Sequence, residues 1–127
     1  MIEVGIVGAS GYLGLELLKL LLQHPQAHIA KLFGNASSGK RIEDVHPSLR
    51  KMLSHEIEEF TSLSLKGIDL LFLALPSGQA MEIVPAALAS GCKVVDLGGD
   101  FRLADAVIYQ KYYGHAHTAE AFLKSAV

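Results

Sequence analysis

An alternation of short apolar runs with longer stretches of helical periodicity most constrains how this chain can fold. Helix-length stretches span Tyr12–Gln23 and Gln79–Ser90. The apolar runs, rich in β-branched residues, lie at Ile2–Val7, His28–Phe33, Glu56–Phe60 (the weakest), Asp69–Leu75 and Lys93–Leu97. Near-continuous apolar runs are typical of parallel strands buried on both faces, and strands alternating with helices indicate βαβ units. The sequence therefore predicts an α/β fold: a doubly wound, mainly parallel sheet with helices on both faces.

Length and charge limit the classes of function. The 127 residues suit one domain, and the 50% hydrophobic content suits a packed core. Because 13 acidic residues outnumber 11 Lys and Arg, we expect no nucleic-acid partner. Polar residues, Pro or Gly interrupt each apolar stretch before the ~18 residues that a membrane helix needs. The single cysteine cannot form an internal disulfide, and no basic leader precedes Ile2. We therefore expect a soluble, cytoplasmic domain with no membrane partner.

The strongest chemical signal is a glycine loop between the first strand and the first helix. Gly8 suits the turn out of the strand, Gly11 allows backbone to approach a pyrophosphate, and Gly14 allows the helix to pack closely. The helix N-terminus adds N–H donors. The alternative is a glycine-rich turn without a ligand. We favour a Rossmann-like dinucleotide site whose cofactor-binding residues are Gly8, Ala9, Ser10, Gly11, Tyr12, Leu13 and Gly14.

The residues after the second strand bear on which dinucleotide is bound. NAD-binding domains place an acidic residue there to hold the ribose 2′-hydroxyl. This chain has no acid in Asn35–Arg41 but carries Ser37, Ser38 and Lys40, with Arg41 next to them. These hydroxyls and cations could meet a 2′-phosphate, so NADP(H) is favoured over NAD. The alternative is an ordinary solvated loop, and the whole stretch 34–49 is predicted as a long polar loop.

Two further segments lie where the carboxyl ends of strands are predicted. Pro76, Ser77 and Gly78 follow the fourth strand and are assigned to the cofactor site, although Ser77 could also cap the next helix. Arg102 follows the fifth strand. It could hold a substrate carboxylate or phosphate, or it could pair with Asp100.

Motifs along nearly the whole chain resemble the N-terminal part of the N-acetyl-gamma-glutamyl-phosphate reductase family. The matching stretches, in the family's order, are Gly8–Leu18, Ser38–Lys40, His46–Leu49, Phe72–Gly78, Val95–Leu97, Asp100–Leu103 and Tyr109–Gly114. The resemblance implies NADPH-dependent reduction of a small-molecule acyl phosphate to a semialdehyde with release of phosphate, in arginine biosynthesis. It also implies a homo-oligomer when full length.

In that family the catalytic Cys and His lie on a second, catalytic and dimerisation domain. Their motifs do not occur in this sequence, so the resemblance places the family's catalytic Cys beyond Val127. We therefore expect residues 1–127 to be the NAD(P)-binding domain alone, with no catalytic residue and no activity of its own. The alternatives are the cofactor domain of a related enzyme, of the aspartate-semialdehyde or aminoadipyl-phosphate type, and a non-catalytic nucleotide-binding module.

Two residue types invite other assignments. Cys92 has the atom that a thioester mechanism needs, but it precedes the fifth strand, at the sheet edge opposite the ligand edge, and we expect it to pack. His115 and His117 have a spacing that could place them on one side, but they lack Cys or carboxylate partners. We therefore predict no metal site.

Overall fold

A computed structural model describes residues 1–34, 36–75 and 79–97. Its sheet has five strands: β1 (Ile2–Val7), β2 (Ala27–Phe33), β3 (Ile57–Glu58), β4 (Leu70–Leu73) and β5 (Lys93–Asp96). The α-helices are α1 (Tyr12–Leu22), α2 (Ile42–Val45) and α3 (Ala80–Ala89), and 3₁₀ turns span Pro47–Leu49 and Ser62–Leu65.

The strand order confirms the predicted doubly wound sheet. The five described strands pair in parallel, in the order β3-β2-β1-β4-β5. The chain therefore builds outward from β1 in one direction, then crosses back to add β4 and β5 on the other side. The order of strands reverses between β1 and β4, and sheets of this type bind ligands beside the carboxyl ends of the strands at such a reversal.

Apolar side chains fill both faces of the sheet. On one face Ile6 and Leu32 pack with Leu18 of α1, and all three are fully buried. On the other face Phe33 and Leu71 pack with α3. Helices on both faces make the fold Rossmann-like, as the alternating pattern predicts. In the part of the chain that the structure describes, no helix has the length and apolar content to cross a bilayer.

The prediction of a long polar loop over residues 34–49 was wrong. The segment contains α2 and the 3₁₀ turn at Pro47–Leu49, and Ile42 and Leu49 are completely buried against the sheet face that carries α1. Three apolar residues, Ile42, Val45 and Leu49, interrupted by Pro47, give too short a pattern to indicate a helix. The predicted run for β1 matches the strand, whereas β3 has only two residues and β4 ends at Leu73, so these two strands are shorter than their apolar runs.

Candidate functional site

Gly8 makes the turn at the carboxyl end of β1 possible. Its φ is +89°, which L side chains rarely adopt, and a Cβ there would lie 2.2 Å from the carbonyl oxygen of Ala74. The Gly8 N–H donates to the carbonyl of Phe33 at 2.9 Å, so the turn is tied to β2 as well. The loop is therefore fixed between the ends of three neighbouring strands.

Gly14 and Gly11 meet different surroundings. A Cβ on Gly14 would lie 2.5 Å from the Gly8 oxygen and 2.8 Å from the Ala9 Cα, so the first turn of α1 rests directly on the loop backbone. At Gly11 the φ is −82° and the nearest atom to a Cβ would be the Gly8 oxygen at 3.7 Å. The described part of the chain therefore leaves the space beside Gly11 open, on the exposed side of the loop.

The beginning of α1 presents unused donors to that space. Gly11 is the N-cap residue and offers no side chain to the free N–H groups, and the first turn carries no acidic side chain. No acceptor in the described part of the chain pairs with the backbone N–H of Ser10, Tyr12 or Leu13. Tyr12 and Leu13 are exposed. Free donors at the positive end of a helix dipole form an anion-binding arrangement.

The cations after β2 have different partners. Arg41 contacts the Glu43 carboxylate at 3.3 Å and donates to the Ser54 hydroxyl at 2.6 Å, and that hydroxyl donates to Glu43 at 2.6 Å. Hydrogen bonds from Ser54 and from backbone N–H groups, together with the Arg41 guanidinium, lower the pKa of Glu43 to about 2. Lys40 is exposed, and within the described residues its ammonium has no hydrogen-bond or ion-pair partner.

The two serines of this segment lie partly inside the fold. The Ser37 hydroxyl oxygen packs directly beside Gly34, because a Cβ added at Gly34 would lie 2.3 Å from that oxygen. That oxygen is buried and has no hydrogen-bond partner among the residues that the structure describes. Ser38 is half-buried. Gly39 has a φ of +86°, which turns the backbone so that Lys40 reaches the surface.

His46 is a residue of this site that the sequence analysis missed. Its Nε2 lies 2.9 Å from the carbonyl oxygen of Ala9, within the glycine loop. His46 stands in the family-matching stretch His46–Leu49, but the sequence assigned it no role in the site. No local pattern could have shown a contact between residues 37 positions apart.

Several predicted site residues lie outside the part of the chain that the structure describes. They are Pro76, Ser77, Gly78 and Arg102, and His115 and His117, for which no metal site is predicted, also lie outside it. Val127, beyond which the sequence analysis places the family's catalytic Cys, lies outside it as well. Cys92, the one cysteine of the sequence, lies within the described residues.

Cys92 packs as expected. It is buried immediately before β5, and its thiol donates to the carbonyl oxygen of Ile68 at 3.1 Å. Burial raises the pKa of that thiol. Among the described residues no group of three His, Cys, Asp or Glu side chains could hold a metal ion.

The strand order and the glycine loop at its reversal define a dinucleotide-binding domain of the Rossmann class. Residues 3–118 match the semialdehyde dehydrogenase NAD binding domain, and the chain belongs to that family.

Sequence relatives agree with the resemblance stated above. The chain is 41% identical to the N-acetyl-gamma-glutamyl-phosphate reductase of Halorhodospira halophila and 43% identical to that of Acinetobacter baylyi, in each case over 100% of this chain. It spans 37% and 36% of those relatives. The family resemblance is confirmed.

Solved structures agree on the fold. An aspartate semialdehyde dehydrogenase with NADP from Candida albicans matches with a TM-score of 0.67 and 23% identity, over 80% of this chain and 31% of that one. A probable aspartate-semialdehyde dehydrogenase from Pseudomonas aeruginosa matches with a TM-score of 0.60 and 28% identity, over 76% of this chain and 28% of that one.

Proposed function

We propose that this chain binds NADP(H) as the cofactor domain of an N-acetyl-gamma-glutamyl-phosphate reductase. The whole enzyme would reduce a small-molecule acyl phosphate to a semialdehyde, with release of phosphate, in arginine biosynthesis. The observation that carries the proposal is the set of free N–H donors at the start of α1, facing open space beside Gly11 at the reversal of strand order. Relatives that bear this enzyme's name are 40–45% identical over essentially the whole chain.

The glycine loop suits a pyrophosphate. Backbone N–H groups of Ser10, Tyr12 and Leu13 would donate to it, with the Ser10 hydroxyl nearby, and Gly11 would leave room for its approach. Gly8, Ala9 and Gly14 hold the loop in shape through close backbone packing. NADPH, when bound, supplies the hydride that reduces the acyl group. The residues of this domain would bind and orient that cofactor.

The segment after β2 supports NADP over NAD. No acidic residue follows β2 at the position that would hold a ribose 2′-hydroxyl. Lys40 is exposed, with no partner for its ammonium among the described residues, so it is the cation we assign to the 2′-phosphate. Ser37 and Ser38 are the hydroxyls we assign beside it, and Ser37 would have to turn outward from Gly34 to reach a ligand.

Other assignments extend the proposal beyond the described residues. Pro76, Ser77 and Gly78 follow β4 and would contact the nicotinamide half of the cofactor, and Arg102 would face the substrate. The catalytic thiol and the dimerisation surface would belong to a second domain beyond Val127. The complete enzyme would be a cytoplasmic homo-oligomer. The aspartate-semialdehyde alternative has weaker support, because three solved enzymes of that type are only 18–28% identical to this chain.

Calorimetry on the 127-residue chain tests the proposal. NADP should bind, and NAD should bind at least several-fold more weakly because it lacks the 2′-phosphate. Binding of NAD as tight as that of NADP would contradict the assignment of the segment after β2. An absence of binding for both nucleotides would contradict the cofactor role itself.

A further inference from the structure

The His46 ring and the Ala9 carbonyl connect the two halves of the proposed cofactor site. His46 follows α2 in the segment that begins after Lys40, and Ala9 lies in the glycine loop. Their Nε2–O distance is 2.9 Å. Because a carbonyl oxygen can only accept, Nε2 carries the proton and donates it. The contact is partly buried, so water competes for it less than for a hydrogen bond at the surface.

Core packing fixes both partners of this hydrogen bond. Ile42 and Leu49, on either side of His46, are fully buried. Both backbone groups of His46 are hydrogen-bonded. Its N–H donates to the carbonyl of Ile42 at 2.8 Å, and its carbonyl accepts from the N–H of Leu49 at 2.9 Å. Ala9 is itself fully buried. The ring therefore lies on a rigid support and meets a rigid loop.

The direction of the Ala9 carbonyl determines the direction of the next N–H. In a trans peptide the C=O and the following N–H point to opposite sides. With the Ala9 oxygen held by His46, the Ser10 N–H points away from the segment that carries His46, and it has no acceptor in the described part of the chain. A rotated peptide would instead turn a carbonyl oxygen toward the space where a phosphate would lie, and that oxygen would repel it.

We propose that His46 is a positioning residue that orients the Ala9–Ser10 peptide so that the glycine loop can receive the pyrophosphate of a dinucleotide. This inference rests on the proposed function. Since the pyrophosphate is common to NAD and NADP, His46 supports the binding of both equally. Lys40, assigned to the 2′-phosphate, supports NADP alone.

Titration of His46 variants with NADP and NAD tests the inference. His46→Leu removes the donor at similar volume. We expect it to lower the affinity for both nucleotides by up to about tenfold, which corresponds to the loss of one hydrogen bond. In His46→Gln the side-chain amide can place a donor near the position of Nε2, so affinity should stay within about twofold of wild type. His28→Leu is the matched control, because His28 pairs with Glu3 away from the loop. It should leave both affinities unchanged.

Each other outcome is informative. Unchanged affinity in His46→Leu, an equal loss in His46→Gln, or a loss for NADP alone would overturn the inference while leaving the proposed function intact. A wild-type chain that binds neither nucleotide would overturn the proposed function and the inference with it. If His46→Leu fails to fold, ¹⁵N spectra of wild type still decide: the neutral ring must carry its proton on Nε2, and an Nδ1–H tautomer would overturn the inference.

Discussion

The Arg41 guanidinium contacts the Glu43 carboxylate at 3.3 Å. The preceding residue, Lys40, is exposed, and its ammonium has no such partner in the described part of the chain. Two adjacent cations therefore have different roles. Arg41 closes a cluster with Glu43 and Ser54 that joins α2 to the segment before β3. Lys40 keeps its charge available at the surface.

This difference predicts which cation selects NADP. Lys40→Met should lower the affinity for NADP by about tenfold. Charge-assisted hydrogen bonds contribute roughly 1.5–3 kcal/mol, and at an exposed site only part of that contribution remains. NAD affinity should change by less than about twofold, because NAD offers no phosphate at that position. Calorimetry with both nucleotides measures the effect.

Arg41→Met is the matched control for Lys40→Met. It removes an adjacent charge of the same sign, and the NADP-to-NAD affinity ratio should stay near that of wild type. If Arg41→Met abolishes the preference and Lys40→Met does not, the two roles are reversed.

The Glu43 cluster predicts a stability change in acid. The pKa of Glu43 is lowered from 4.5 to about 2 in the folded chain. A depressed carboxyl pKa stabilises the fold fully above about pH 4.5, and that contribution is lost as the pH falls toward 2. Thermal unfolding should therefore show Glu43→Gln less stable than wild type at about pH 7, with the difference shrinking between about pH 5 and pH 3. The neighbouring Asp44→Asn serves as the control. A constant Tm difference across this range would contradict the assignment.

Gly11 and Gly14 should separate binding from folding. At Gly14 a Cβ would meet backbone atoms at 2.5–2.9 Å. The overpacking cost of about 1–3 kcal/mol should exceed the ~1 kcal/mol gain in helix propensity, so Gly14→Ala should lower Tm. At Gly11 the φ of −82° suits any residue and the space is open. Gly11→Ala should fold normally, whereas Gly11→Val should fill the proposed pyrophosphate path and abolish most NADP binding. Wild-type affinity in Gly11→Val would contradict that placement of the loop.

The sequence predicted the sheet better than the site. Strand positions follow from apolar runs, and the glycine loop is local, so the fold class and the roles of Gly8 and Gly14 in backbone packing could be read from the residues. The burial of Ile42 and the contact of His46 with Ala9 could not. They depend on how the segment after β2 folds back over the sheet, and residues 37 positions apart share no local periodicity.

The position of Cys92 predicts that this chain binds cofactor without catalysing the reaction. Acyl-phosphate reduction through a thioester needs an accessible thiolate, but the Cys92 thiol is buried, donates to a backbone carbonyl and has a raised pKa. It also precedes β5, whereas the glycine loop follows β1, so the two lie at opposite edges of the parallel sheet. Loss of a catalytic nucleophile can cost about 10⁶-fold in rate. We therefore expect no turnover with semialdehyde, phosphate and NADP, while Cys92→Ser should leave NADP affinity unchanged. Turnover by the chain that Cys92→Ser abolishes would show that Cys92 is the nucleophile after all.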